Sequence, residues 1–152
     1  MKKVRILLAC LALLGLAACS GADVKLPEPD ALYEEMKAAV ELPPMSDVAE
    51  YMLEANTGIA AADYDSAVYY IPVEGMAPDQ IIIVQAKDEA GAAEIEEKLN
   101  AWLRYQEEGS RVYMTENMPL YQSGVIRRDD LTVSLIVSAQ HAEIEAVYQK
   151  YN

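Results

Sequence analysis

Apolar positions recur every three or four residues in four segments of the chain, a period typical of helices that bury one face. The four predicted helices run from Asp30 to about Glu41, from Ser46 to the stop at Asn56-Thr57-Gly58, from about Asp88 to Arg111, and from about Ala139 onward. Asp30, Ser46 and Ser138 are expected to cap three of them, because short polar side chains accept hydrogen bonds from the first free backbone amides.

Between these helices, β-branched and aromatic residues predict strands at Tyr64–Ile71, Ile81–Val84, Val125–Arg128 and Leu131–Ser138. The unbroken apolar run Ile81–Val84 indicates a central strand that is covered on both faces. In Leu131–Ser138 apolar and smaller polar residues largely alternate, which predicts a half-buried antiparallel strand. Asp129-Asp130 is expected to form the turn of the last hairpin.

The element order is therefore α-α-β-β-α-β-β-α. Strands that come in hairpin pairs separated by a long helix favour an α+β fold with a mainly antiparallel four-stranded sheet and helices packed on it. A doubly wound parallel sheet is disfavoured, since strands do not alternate singly with helices and no glycine-rich phosphate loop is present.

The first 18 residues have the pattern of a removable leader. Lys2, Lys3 and Arg5 are followed by 13 uncharged residues, too few for a membrane-spanning helix, which needs about 20. The leader closes on Leu16-Ala17-Ala18-Cys19, which resembles the lipobox of bacterial lipoproteins. An ordinary secretory signal followed by a chance cysteine is the alternative.

The lipobox resemblance implies that Cys19 becomes the first mature residue and carries acyl chains such as palmitate. The expected organisation is a signal peptide over 1–18, a lipidated cysteine and flexible tether over 19–29, and a single domain over 30–152. The expected location is the outer face of the bacterial cytoplasmic membrane, or the outer membrane in a cell that has one. Because Cys10 leaves with the leader, the mature domain keeps no thiol for a disulfide, a metal or catalysis.

The chain is strongly acidic, with a formal net charge of −13. Loss of Lys2, Lys3 and Arg5 with the leader leaves 9 basic and 25 acidic residues, a net charge of −16. Such a surface repels nucleic acid and anionic lipid headgroups, so no nucleic-acid partner is expected and the only predicted membrane contact is the lipid on Cys19. An acidic surface also keeps a protein soluble, which is the simpler explanation.

Candidate catalytic residues are few. His141 is the only histidine, with Glu145 four residues further on, and no nucleophile motif accompanies them, so a solvated histidine near a helix start is favoured over a general base. Asp63 and Asp65, with Asp79 beyond, are potential calcium ligands, but the segment lacks the glycine and terminal glutamate of a calcium loop. We therefore predict no enzyme activity, no cofactor and no metal site.

Tyrosine is the compositional oddity, with 10 Tyr, 1 Trp and no Phe. Tyrosine combines an apolar ring with a polar hydroxyl, which suits both half-buried packing and binding surfaces. Trp102 lies on the apolar stripe of the long helix and is predicted to be a core anchor. The residues predicted to form a binding surface lie in strands and irregular segments: Tyr69, Tyr70, Tyr113 and Tyr121.

Several sequence features resemble the bacterial lipoprotein family called domain of unknown function 4358. They are the lipobox, the stretch Asp79–Asp88 leading into a long helix, Gln106 near its end, Tyr113 after it, and the closing hairpin and helix. The resemblance covers the chain from about Tyr51 onward and implies surface-anchored proteins of Clostridia-like bacteria. It implies no catalytic residue.

These patterns together predict a membrane-anchored extracytoplasmic lipoprotein that acts as a non-enzymatic binding or scaffolding module. Its expected partners are the membrane, through the lipid on Cys19, and a protein close to the membrane. Two alternatives stay open at this point: a small cell-envelope hydrolase, and a solute- or cation-binding accessory protein.

Overall fold

One sheet of five antiparallel strands lies at the centre of the fold. The computed structural model describes residues 25–75 and 77–151, so the leader and Cys19 lie outside the described residues. The strands are β1 (Met45–Asp47), β2 (Tyr64–Pro72), β3 (Gln80–Ala86), β4 (Val125–Asp129) and β5 (Thr132–Val137), in the spatial order β1-β2-β3-β5-β4.

Helices cover both faces of this sheet. They are α1 (Pro29–Ala39), α2 (Ala49–Thr57), α3 (Glu89–Tyr113), α4 (Met118–Gln122) and α5 (His141–Tyr148), and a 3-10 turn (Gln149–Tyr151) ends the described chain. The first face packs against α2, α3 and α4, and the second against α1 and α5. Among the described residues, no helix combines the length and the apolar character needed to cross a bilayer.

Alternate residues of β3 supply the two halves of the core. Ile82 and Val84 pack on the α3 face, whereas Ile81 and Ile83 pack on the α1 face, as the two-residue period of a strand requires. Every residue of β3 is buried, and β3 lies in the middle of the sheet. The predicted α+β class, the antiparallel sheet and the buried central strand are therefore confirmed.

The predicted number of strands is wrong, because the sheet has five strands rather than four. The additional strand, β1, pairs with the end of β2 through Met45–Pro72, Ser46–Ile71 and Asp47–Tyr70. Three residues are too few to show an alternating pattern, and β1 exists only because the edge of β2 provides hydrogen-bond partners. Ser46 thus lies in a strand, and the Asp47 carboxylate accepts the Ala49 amide hydrogen bond at 3.0 Å at the start of α2.

The prediction that β5 is half-buried is also wrong, because all six of its residues are buried. The alternation was identified correctly, since Val133 and Leu135 belong to the α3-face core. On the other face, the Thr132 hydroxyl donates to Gln85 Oε1 at 2.8 Å, and the buried Tyr148 hydroxyl of α5 donates to Ser134 Oγ at 2.7 Å. Small hydroxyl side chains that find partners can be buried at little cost.

The helix ends follow the sequence signals in two cases and depart from them in two. Asp88 caps α3 and accepts the Gly91 amide at 2.8 Å, and Gly58 ends α2 in the left-handed conformation with φ of 73°. In contrast, α1 begins at Pro29, so Asp30 lies inside its first turn. The last helix begins at His141, and Ser138 Oγ accepts the Gln140 amide before that helix at 3.3 Å.

The folded part begins within the segment predicted as the tether. Leu26 packs against the core beneath α1. The Glu28 carboxylate accepts a hydrogen bond from Ser66 Oγ at 3.0 Å. This contact places the start of the described chain at one end of the sheet.

Burial of a tyrosine is expected to make the fold less stable at alkaline pH. Burial, followed by the negative charges of Tyr70, Glu34 and Asp47, raises the pKa of Tyr33 from 10.0 to about 12. A tyrosine whose pKa is raised in the folded state stabilises the fold below pH 10. This contribution is lost as the pH rises toward 12, because the unfolded chain ionises first.

We expect Tyr33→Phe, which keeps the ring stacked on Tyr70, to show a smaller loss of unfolding free energy between pH 8 and pH 11 than the unaltered chain. Urea unfolding at both pH values measures this, and an equal loss in the two proteins would contradict it.

Candidate binding groove

A buried amide at the start of β3 organises the side chains at one end of the sheet. Gln80 Oε1 accepts hydrogen bonds from the Tyr69 hydroxyl at 3.2 Å and from the Trp102 indole Nε1 at 3.0 Å. Asn56 Nδ2 donates to the Tyr69 hydroxyl at 3.4 Å. Gln80 faces α3 because it has the same strand parity as Ile82 and Val84. The amide therefore sets the position of the indole at the surface.

Three adjoining open cavities form a groove beside Trp102, here called the α3 groove. Their volumes are about 460, 380 and 400 Å³. The first and second share Asn56 and Trp102, and the second and third share Gln106 and Tyr121. Shared walls make the cavities one elongated depression, which α2, the end of β2, α3 and α4 border.

The second half of α3 extends past the sheet and carries the exposed aromatic residues. Trp102 reaches the first residue of β3, so the eleven residues that follow it continue beyond this end of the sheet for up to about 16 Å. The rings of Trp102 and Tyr105 stack with centroids 5.7 Å apart, and Tyr113 is 87% exposed. Exposed aromatic surface of this kind often marks an interaction site.

Gly109 interrupts this aromatic stripe in the middle of α3. Glycine inside a helix costs about 1 kcal/mol relative to alanine. A Cβ atom at Gly109 would meet nothing within 4 Å, so packing does not require glycine here. Gly109 lines the third cavity between Tyr105 and Tyr113, where a side chain would occupy the groove. A residue that breaks a local rule without a packing reason points to function.

The side chains that line the groove are uncharged, apart from Asp79 and Lys98. Asp79 lines the second cavity, and the one basic residue at the first cavity, Lys98, is paired with Asp63 at 2.9 Å. Burial raises the pKa of Tyr121, with smaller contributions from Tyr69 and Asp79, so its hydroxyl stays protonated at neutral pH. The groove therefore offers aromatic faces, hydroxyl groups and amides, without an unpaired cation.

The four tyrosines predicted as a binding surface are divided between the two faces of the sheet. Tyr69 and Tyr121 line the second cavity, and Tyr113 and Tyr121 line the third, although Tyr69 is itself buried. Tyr70 lies on the opposite face, where its ring stacks on Tyr33 with centroids 3.4 Å apart. Consecutive strand residues point to opposite faces, so Tyr69 and Tyr70 do not share a surface.

Most of the residues that line the groove were not predicted to form a binding surface. Trp102 packs against the core, as predicted, but its indole also lines two cavities. A signal for the groove was present, because Trp102, Tyr105, Gly109 and Tyr113 follow at three- and four-residue spacing and therefore share a helix face. Asn56 was predicted only as part of a helix stop and Gln80 only as part of the stretch Asp79–Asp88, so neither was assigned to a binding surface.

Apart from Asp79, which lines the second cavity, the titratable residues considered for chemistry line none of the three cavities. His141 Nδ1 is 3.1 Å from the Ser138 carbonyl oxygen, and Glu145 Oε1 is buried without a hydrogen-bond partner in the described chain. The Asp63 carboxylate accepts from Lys98 and from the Ala60 amide, which lowers its pKa. Over residues 25–75 and 77–151, no group of three or more His, Cys, Asp or Glu side chains is placed to hold a metal ion.

A second depression, of about 670 Å³, lies at the opposite end of the sheet. Glu89, Arg128 and Asp130 line it, and no aromatic residue does. Arg128 is 3.3 Å from Glu96, so the cation there is already neutralised. Aromatic side chains line all three cavities of the α3 groove and none line this depression.

Comparison with known proteins gives a match to a family. The sequence model described as Domain of unknown function (DUF4358) matches residues 38–138, a range that contains β1 to β5 and the whole α3 groove. No curated protein and no solved structure matches the chain.

Proposed function

The chain belongs to the DUF4358 family, and we propose that it is a lipid-anchored, non-enzymatic binding module on the outer face of the bacterial cytoplasmic membrane. The α3 groove is the surface through which it binds. The anchor is the diacylated Cys19, which the lipobox sequence favours.

The observation that carries this proposal is that exposed aromatic side chains lie along an elongated cavity at one end of the sheet. Tyr105 is 66% exposed, Val112 70% and Tyr113 87%, all on the projecting half of α3. Folding alone gives no reason to hold such residues in water. Partner binding would bury them and gain free energy from the apolar area removed from water.

The placement of the tether agrees with this role. Glu28 bonds to Ser66, which pairs with Gln85 of β3, whereas the groove lies at Gln80. Gln85 and Gln80 are five residues apart along β3, which corresponds to about 17 Å. A lipid attached through the segment before Glu28 would therefore enter at one end of the sheet, and the groove would remain accessible at the other.

Site-specific crosslinking tests the groove as a binding surface. A photoreactive benzoylphenylalanine replaces Tyr105 or Tyr113 in the full-length protein, expressed in its own cells. Irradiation is expected to give a discrete adduct of higher mass, because a partner in the groove contacts both side chains. Gel electrophoresis and mass spectrometry of the purified protein measure the adduct.

The control places the same photoreactive residue at Lys37, an exposed position of α1 on the other face of the sheet. We expect no adduct of that mass from the Lys37 position. Equal adducts from all three positions, or none from Tyr105 and Tyr113, would reject the groove as the binding surface.

A further inference from the structure

One carboxylate of the groove lining, Asp79, has no ion-pair partner within the described chain. Other acidic residues are next to lining residues in the sequence, namely Glu54 beside Ala55, Glu74 beside Gly75 and Glu108 beside Gly109. The one basic residue of the lining, Lys98, pairs with Asp63, and the basic residues of α3 that follow it, Arg104 and Arg111, line none of the three cavities. The chain as a whole carries a net charge of −13. The potential around the groove therefore attracts cations and repels anions.

The aromatic rings add a short-range preference for cations. A Lys or Arg side chain within about 6 Å of an aromatic ring centre is attracted by the ring's quadrupole, most strongly by Trp and Tyr. The fold already contains one such pair, with the Arg127 guanidinium 4.6 Å from the centre of the Tyr148 ring. In the groove, Trp102, Tyr105 and Tyr113 present comparable rings, and Lys98, the one cation of the lining, is paired with Asp63.

The shape of the groove indicates an extended ligand. From Trp102 to Tyr113 the helix rises about 16 Å, which is the length of roughly five residues of extended polypeptide. Gly109 keeps the middle of this path open. Within the described chain the side-chain amide of Gln106 makes no hydrogen bond, so it is free to bind a peptide backbone at the junction of two cavities.

We infer that the α3 groove binds an extended segment of a partner protein that is rich in lysine or arginine. The inference rests on the proposed function and specifies its ligand. Asp79 and the negative net charge of the chain attract the segment, aromatic rings receive its cationic side chains, and Gln106 and Asn56 bind its backbone.

Trp102 provides the measurement, because it is the only tryptophan of the chain. The full-length protein, purified from membranes in a non-ionic detergent, is titrated with a ten-residue Gly-Lys repeat peptide while indole fluorescence is recorded. We expect a saturable change in emission and an affinity that falls several-fold between 50 mM and 500 mM salt. A Gly-Glu peptide of equal length is expected to leave the emission unchanged.

Three variants separate the proposed contacts from general charge attraction. We expect Tyr113→Ala to weaken the Gly-Lys peptide about three- to fivefold and Tyr113→Phe to retain affinity, since the ring face is the contact. Gly109→Leu is expected to weaken it at least tenfold while thermal stability stays equal or rises. The matched control is Tyr51→Ala, because Tyr51 is 76% exposed but lines none of the three cavities.

Other results would overturn the basic segment as ligand. A salt-independent response to a neutral N-acetylglucosamine hexamer, with none to the lysine peptide, would indicate a glycan site. Emission that depends on protein concentration alone would indicate a second copy of the chain. If no probe binds but crosslinking at Tyr105 succeeds, the ligand class is wrong and the proposed function stands; if both fail, both are rejected.

Discussion

Replacing Gln80 with leucine is expected to lower the free energy of unfolding by about 2 kcal/mol and to release the Trp102 indole from its position. Gln80 Oε1 accepts two hydrogen bonds, so leucine leaves the Tyr69 hydroxyl and the Trp102 Nε1 without their acceptor. Each hydrogen bond contributes about 1 kcal/mol, and a donor left buried without a partner costs more. Urea unfolding measures the stability, and the emission maximum of Trp102 reports the position of the ring.

The same strand provides a matched control in Gln85. Its Oε1 accepts from the Thr132 hydroxyl at 2.8 Å on the opposite face of the sheet, about 17 Å from the groove level. Gln85→Leu should therefore cost about 1 kcal/mol and leave the emission of Trp102 unchanged. If both variants shift the emission equally, the change reflects general loosening of the fold rather than loss of the indole's acceptor.

The consequence for binding follows from the same contact. With the indole released, crosslinking from Tyr105 should fall in Gln80→Leu and persist in Gln85→Leu, although both proteins remain folded. If crosslinking from Tyr105 persists in both variants, the orientation of Trp102 does not matter for binding of the partner. Gln80 would then be a packing residue only.

Local patterns predicted those parts of the fold that depend on neighbours in sequence. The apolar run around Ile82 identified the central strand, and Asp88 and Gly58 gave two helix ends, because each signal acts within a few residues. The last hairpin turns one residue later than predicted, at Asp130-Leu131, because Asp129 still pairs with Thr132, and Asp130 adopts φ of 53° there. Asp tolerates this left-handed conformation better than most residues.

Features created by tertiary contacts were not predictable in the same way. β1 is a strand only because the edge of β2 pairs with it. The alternation in β5 correctly separated its two faces, but it did not show that α5 would cover the face that carries Ser134. A pattern of period two tells which residues share a face and leaves open what lies opposite.

The candidate site was partly accessible from sequence. Strand parity alone places Tyr69 and Tyr70 on opposite faces, and helix spacing alone groups Trp102 with Tyr105 and Tyr113. What the sequence did not give is how far α3 runs past the sheet, which depends on the contact between Trp102 and Gln80. That contact joins residues 22 positions apart, a separation that local sequence patterns do not cover.

Replacing Cys19 with alanine is expected to abolish incorporation of a labelled fatty acid. Thioether attachment of diacylglycerol needs the thiol, and the amino group that takes a further chain is freed only by cleavage before Cys19. At about 0.8 kcal/mol per buried methylene, two chains hold a protein at a bilayer where one gives marginal binding. Labelling of growing cells with an alkyne-tagged palmitate measures the attachment.

Cys10 is the matched control, because it is the only other cysteine and lies inside the predicted leader. Cys10→Ala should keep the full label, since the predicted cleavage before Cys19 removes the segment that carries residue 10. Fatty-acid label is a sharper measure than sedimentation, because an uncleaved apolar leader would itself hold the Cys19→Ala precursor at the membrane. Label that survives in Cys19→Ala, or that disappears in Cys10→Ala, would reject the lipid anchor. The groove and its ligand would then have to be explained in a secreted protein, where the end of the sheet near Glu28 is no longer turned toward a membrane.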